Sequence, residues 1–200
     1  MKYAANINSL ASLAPDFMGL IFYPPSKRFV GVEFDKNDLQ SLTPDINKIA
    51  VFVNAHTHEI TEFSGIYGIK TLQLHGDEHP DFCASLKESG FTIIKAFGVD
   101  AHFDFSILDS YANVVDYFLF DTKTSDYGGS GKCFDWQILK NYKLKIPFFL
   151  SGGLDIDNLA TIKTLDLPML YGVDLNSRFE IEPGLKDIDK LAEAFAIIRS

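Results

Sequence analysis

Apolar runs of strand length recur along the chain, and each is followed by a polar stretch with helical spacing, the pattern of a strand-helix repeat. Strands are predicted over 17–23, 49–54, 69–75, 91–96, 117–121, 146–151 and 170–174. They are rich in Val, Ile, Phe and Leu without strict alternation, as strands buried on both faces are, so a parallel sheet is expected. Helices are predicted over 4–13, 36–42, 56–65, 80–89, 101–111, 134–141, 155–164 and 187–198. Asp155 and Asp187 stand where helices should be capped, and Gly65, Gly68 and Gly90 where helices should end.

Seven parallel strands and eight helices read as an α/β fold, a (β/α)8 TIM barrel lacking its first β-strand. The first helix begins within a few residues of Met1, which leaves no room for a strand before it. No Gly/Ser-rich linker or shift of composition divides the chain, so residues 1–200 are expected to form one N-terminally truncated barrel domain. An unpaired edge is expected between the last strand and the strand at 17–23. An open doubly wound sheet is the alternative, but the first strand-to-helix turn carries no Gly-rich dinucleotide fingerprint.

Composition narrows the function. Apolar residues make up 46% of the chain and aromatics 14%, enough for a sizeable core. A net charge of −9 disfavours non-specific attraction to nucleic acid or an anionic membrane, so any anionic ligand must be held by local donors. Cys83 and Cys133 make no disulfide framework and match no paired metal spacing, which suits a reducing, cytoplasmic compartment. No apolar run approaches the ~18 residues of a membrane span.

In barrels of this kind the chemistry sits at the C-terminal ends of the strands and in the loops that follow. Those positions hold Ser26, Lys27, Arg28, Asn54, Gln73, His75, Lys95, Asp121, Lys123, Ser151, Gly152, Gly153, Asp174, Asn176 and Ser177. Ser151-Gly152-Gly153 opens a helix whose N-terminal dipole favours an anion, and Asp174 to Ser177 ends the next strand. Backbone N–H groups of small residues there can approach a phosphate closely, whereas the plain alternative is a tight turn that needs glycine only for its backbone. Asp121 should emerge at the barrel mouth as a general acid, the alternative being a carboxylate that caps the following loop. Gln73 and His75 share a strand face, either aimed into the mouth or hydrogen-bonded in the core. Arg28 is a candidate bidentate clamp for a substrate carboxylate, or simply a solvated charge.

Other motifs lead away from cofactors. Gly128-Gly-Ser-Gly-Lys132 looks like a phosphate loop, but Asp126 stands in place of its first glycine and Cys133 in place of the magnesium-binding hydroxyl. It reads as a loop closing over the site or as a surface turn. His56 and His58 lie at a helix start, where an i, i+2 pair should diverge, and with His75 and His79 they do not suggest a metal site. Neither cysteine has an obvious histidine partner, so neither is assigned as a nucleophile.

Gly19-Leu-Ile-Phe-Tyr-Pro-Pro-Ser-Lys-Arg28, Leu72-Gln-Leu-His-Gly76, Asp121-Thr-Lys-Thr124, Gly128-Gly-Ser-Gly-Lys132 with Phe134-Asp-Trp136, Ser151-Gly-Gly-Leu154, and Gly172-Val-Asp174 through Pro183-Gly184 occur in order over nearly the whole chain. Together they resemble phosphoribosylanthranilate isomerase. The resemblance implies a cofactor-free Amadori rearrangement of N-(5-phosphoribosyl)anthranilate to its 1-deoxyribulose isomer in tryptophan biosynthesis. It implies that Asp121 is the general acid on the furanose ring oxygen, that Arg28 meets the anthranilate carboxylate, and that Gly152, Gly153, Asn176 and Ser177 cradle the phosphate. Gln73, His75 and Asp174 complete the expected substrate-binding set. The partner is a phosphorylated small molecule, and a monomer or homodimer is expected, with no metal.

The chain departs from the family pattern at Arg178, where a small glycine is usual. The family's base is a cysteine in a first-strand Lys-x-Cys-Gly motif, followed by a residue that aligns with Met1. Met1 is therefore read as an internal residue, the coding frame is expected to extend upstream by roughly five to ten codons, and the chain as given is expected to turn over little substrate. Two other readings compete: another phosphosugar isomerase or epimerase, which would not need Arg28, and a catalytically dead barrel serving as a binding partner.

Overall fold

The computed structural model describes residues 1–31, 34–39, 42–123 and 134–200. In chain order the elements are α1 (Ala4–Ala11), β1 (Phe17–Ile21), β2 (Asn47–Phe52), α2 (Thr57–Tyr67), β3 (Thr71–Leu74), α3 (Pro80–Glu88), β4 (Thr92–Val99), β5 (Tyr117–Thr122), β6 (Phe148–Leu150), α4 (Ile156–Ile162), β7 (Leu170–Val173), β8 (Glu180–Glu182), β9 (Leu185–Lys186) and α5 (Ile188–Arg199). Strands β1 to β7 form one sheet in which every neighbouring pair is parallel and the order follows the chain.

Alternation along these strands separates two layers. Ile49, Val51, Ile94, Ala96, Leu119 and Phe149 face the inside of the curl as one cluster. The residues between them, such as Phe52, Leu72, Phe118, Phe120 and Leu150, belong to the larger core between sheet and helices. At the N-terminal end of the interior, Phe17, Tyr117, Phe149 and Tyr171 pack ring against ring, with centroids 5.0 to 6.2 Å apart.

β1 and β7 are the two ends of the sheet and are not hydrogen-bonded to each other. On that side the Met1 amino group donates to the Gly19 carbonyl at 3.1 Å. A cavity of about 520 Å³ reaches from Phe17 and Tyr171 up to Arg28 and Asp174.

All eight predicted helical stretches contain helix, but three are short 3-10 turns: Lys36–Leu39, Phe105–Tyr111 and Trp136–Asn141. Their residues explain this. Phe105–Tyr111 carries aromatic, β-branched, Ser and Asp residues of modest helix propensity, and the side chain of Asp104 turns the chain by accepting from the Ser106 amide. Aromatic bulk covers the sheet where helix is short. Phe120 is fully buried among Phe103, Phe105, Tyr142 and Phe148, with ring centroids 5.1 to 6.3 Å away.

The antiparallel hairpin β8–β9 adds to the elements that the apolar pattern predicts. It turns at Pro183-Gly184, where Gly184 takes φ +88°. The buried side chain of Asn6 fastens it to α1, donating to the Lys186 carbonyl at 2.9 Å and accepting from the Lys186 amide at 2.7 Å.

Phe120→Ala removes a ring that no helix can replace, so it should cost about 3–5 kcal/mol of unfolding free energy, measured by urea denaturation.

Candidate active site

Asp121 lies on the inner face of β5, two residues beyond Leu119, and its carboxyl group enters the cavity at the C-terminal end of the sheet. The Thr122 amide donates to its Oδ1 at 2.8 Å. Burial pushes its pKa above the ordinary 3.8, and the nearby Asp174 carboxylate adds to the push; His75, the Thr122 amide and the Ser151 hydroxyl act against it. An acid that holds its proton more tightly than an ordinary carboxyl group is suited to proton donation.

His75 follows β3 on the same inner face as Gln73. The two side chains meet at 2.7 Å between Gln73 Nε2 and His75 Nδ1. With the amide nitrogen as donor, Nδ1 accepts and the ring proton sits on Nε2. That nitrogen is 3.7 Å from Asp121 Oδ2. Burial lowers the pKa of His75 below its ordinary 6.5, although Asp121 pulls the other way. Both open readings of the Gln73–His75 pair therefore apply: they bond each other, and both line the cavity.

Gly152 and Gly153 adopt left-handed backbone, with φ +86° and +68°. A Cβ at Gly152 would come within 2.6 Å of the Thr122 amide nitrogen and 2.7 Å of Asp121 Oδ1. Glycine at this position thus makes room for the carboxyl group next to it. Ser151 is buried and donates to Asp174 Oδ2 at 3.2 Å.

A carboxylate of the chain itself caps the N-terminus of α4. α4 spans seven residues, and the Asp155 carboxylate already accepts from the Ile156 amide at 2.7 Å. Around that carboxylate gather Arg178 (3.2 Å) and Lys190 (3.0 Å). Two cations thus stand at the start of α4, both paired with Asp155. Asn176 Oδ1 accepts from Lys186 Nζ at 2.9 Å, and Ser177 opens the 3-10 turn Ser177–Phe179.

Arg28 is not a solvated charge. Its Nε donates to both carboxylate oxygens of Glu180, and its second terminal nitrogen reaches Glu180 at 2.7 Å. Burial alone would raise the Glu180 pKa, but Arg28 and Lys186 outweigh it and hold the carboxyl below its ordinary value. Arg28 lines the same cavity as His75, Asp121, Asp174 and Asn176. Nothing in the sequence pattern singles out Glu180, because it stands on the β8–β9 hairpin, 152 positions from its partner.

His56 and His58 do not diverge; their rings stack at 5.7 Å. His56 is the extended N-cap of α2, outside the helical period, and its side chain folds back over the first turn. Cys83 is buried in α3, and burial pushes its thiol up to about 11. Gly128 to Lys132 and Cys133 lie outside the described residues. Among the described residues no helix is long and apolar enough to cross a membrane.

Residues 2–196 match the family model of N-(5'phosphoribosyl)anthranilate (PRA) isomerase. A relative named N-(5'-phosphoribosyl)anthranilate isomerase from Parabacteroides distasonis is 47% identical over 194 residues, which cover 96% of this chain and 87% of the relative. One from Phocaeicola vulgatus is 40% identical over 94% of this chain and 89% of its own. The crystal structure of phosphoribosyl anthranilate isomerase from Thermotoga maritima superposes with a TM-score of 0.86 at 30% identity, covering 100% of this chain and 95% of that one. A further crystal structure of the isomerase holds reduced 1-(o-carboxyphenylamino)-1-deoxyribulose 5-phosphate and superposes with a TM-score of 0.84 at 26% identity, with the same coverage. With its parallel sheet, its strand-end Asp121 and Arg28 in one cavity, and this similarity along almost its whole length, the chain belongs to the phosphoribosylanthranilate isomerase family.

Proposed function

We propose that this protein isomerises N-(5'-phosphoribosyl)anthranilate to 1-(o-carboxyphenylamino)-1-deoxyribulose 5-phosphate in tryptophan biosynthesis, with Asp121 as the general acid. The observation that carries the reading is the Asp121 carboxyl group, pushed toward its protonated form and set in the same cavity as Arg28 and near the Gly152-Gly153 turn.

The chemistry follows from that placement. Asp121 gives its proton to the furanose ring oxygen as the bond from that oxygen to C1′ breaks, and the anthranilate nitrogen shares its lone pair to form an iminium at C1′. Loss of the C2′ proton moves an electron pair into the C1′–C2′ bond and yields an enolamine, which becomes the ketone as C1′ takes up a proton and the C2′ hydroxyl gives one up. For this step the resemblance implies a cysteine base in a Lys-x-Cys-Gly motif. Cys83 does not serve, because it is buried in α3.

Arg28 offers the anthranilate carboxylate the part of its guanidinium that Glu180 leaves open. Glu180 fixes the plane of that fork, which is how a bidentate donor gains specificity. The phosphate is met by the backbone of Gly152, Gly153, Asn176 and Ser177, with Arg178 and Lys190 supplying positive charge at the rim. Gln73, His75 and Asp174 line the space between.

In an active version of the protein, Asp121→Asn should lower kcat by ~10² or more and leave KM nearly unchanged, in steady-state assays with N-(5'-phosphoribosyl)anthranilate. Near-normal turnover would remove Asp121 from the mechanism.

Arg28→Lys keeps a cation beside Glu180 but loses the planar fork, so it should raise KM ~10-fold with little change in kcat.

The raised pKa of Asp121 has a stability consequence with a definite sign. Ionising this carboxyl costs the folded state free energy; the cost is absent below the ordinary 3.8 and complete once the pH exceeds the raised value. Asp121→Asn should therefore be more stable than the parent protein near neutral pH. The advantage should shrink as the pH falls toward about 4, as urea midpoints across that range would show.

A further inference from the structure

Lys95 and Glu78 form a buried ion pair that takes no part in the proposed chemistry. Lys95 is on the outer face of β4, with its side chain 2% exposed against 4% for Glu78. The Lys95 ammonium reaches the carbonyls of Gly76 (2.7 Å), Ala96 (2.9 Å) and Leu74 (3.2 Å), and Glu78 Oε2 at 3.2 Å. Glu78 in turn accepts from the Asn54 amide at 2.8 Å and from the Gly76 amide at 3.0 Å.

A buried pair of this kind is poor value as a stabiliser, since well-packed apolar side chains usually do as well. Its partners suggest another use. Leu74 and Gly76, the two residues that flank His75, are both held by the same ammonium, and Gly76 is also held through its amide. The opposite side is fixed too: the His75 amide donates to the Phe52 carbonyl at 2.8 Å, and Asn54 Oδ1 accepts from the Asp77 amide at 2.7 Å. The fit leaves no slack, because a Cβ at Gly76 would fall 2.8 Å from the Asn54 amide nitrogen.

We propose that the Lys95–Glu78 pair is a positioning device, which clamps the backbone on both sides of His75 so that the imidazole bonds Gln73 through Nδ1 and presents its Nε2–H to Asp121. The proposal rests on the reading of Asp121 as the acid. Lys95 and Glu78 touch no substrate; they act through His75.

The test uses Lys95→Met/Glu78→Gln. This double variant strands no buried charge and keeps an acceptor for the Asn54 and Gly76 amides, yet it removes the ammonium from the three carbonyls. Lys95→Met alone leaves Glu78 charged and unpaired, so it serves only as the reference for folding. Two quantities are read: the imidazole tautomer of His75, by nitrogen-15 NMR with the resonance assigned by its loss in His75→Gln, and kcat with KM for N-(5'-phosphoribosyl)anthranilate.

The parent protein should show a single tautomer with the proton on Nε2. The double variant should unfold cooperatively, show a mixture of tautomers, and lose ~10- to 100-fold in kcat with KM within ~3-fold, the scale expected for a misplaced reacting group. An unchanged His75 signal in the folded double variant would overturn the proposal, whatever the turnover. So would unchanged kcat alongside a changed signal. If the parent protein neither bound nor turned over substrate, the functional reading would fail, while the tautomer comparison would still decide whether the pair holds His75.

Discussion

The two-residue alternation of β3 and β5 is the constraint from which the site follows. On β5, Leu119 and Asp121 face inward while Phe118 and Phe120 face the helices. On β3, Gln73 falls on the inner face and His75 extends it. A slip of one residue in β5 would drive a carboxyl group into the aromatic layer and an aromatic ring into the cavity, so the register that packs the core also aims the acid. The Phe118–Phe120 packing and the direction of Asp121 are one choice made once.

Neighbouring strands supply the rest by the same logic. Gly152 stands next to Asp121 across the β5–β6 boundary, and its lack of a side chain leaves the carboxyl its place. Burial raises the acid of Asp121 and depresses the base of His75, so both groups are driven toward neutral forms although they lie 3.7 Å apart. A cavity walled by Val51, Ile94 and Leu119 is what makes those neutral forms favourable.

Features tied to local pattern are legible in the chain itself. The seven strands stand out as apolar runs, Asp121 stands at the end of one, and Gln73 and His75 share a face by simple spacing. What the pattern does not reveal depends on distant pairing. Glu180 matters only because Arg28 approaches it from 152 positions away, and Glu78 because Lys95 crosses beneath β3 to reach it. Lys95 itself reads as a strand-end residue if β4 stops at Ala96, but the strand runs on to Val99 and Lys95 points outward under the helices. The 3-10 turns fall within predicted helices because apolar spacing alone does not distinguish them from α-helix, whereas residue propensity does. The β8–β9 hairpin announces itself only by Pro183-Gly184, a turn signal between two very short strands.

The order of the sheet has a consequence for how the chain is built. Each strand from β2 to β7 is hydrogen-bonded to the strand that precedes it in sequence. During synthesis from the N-terminus, every strand after β1 therefore emerges to find its template already in place, and none must wait for a partner encoded later. The sheet grows at a single moving edge, and the segment that carries Asp121 is laid down on β4 before Ser151, Gly152 and Asp174 arrive to complete its surroundings.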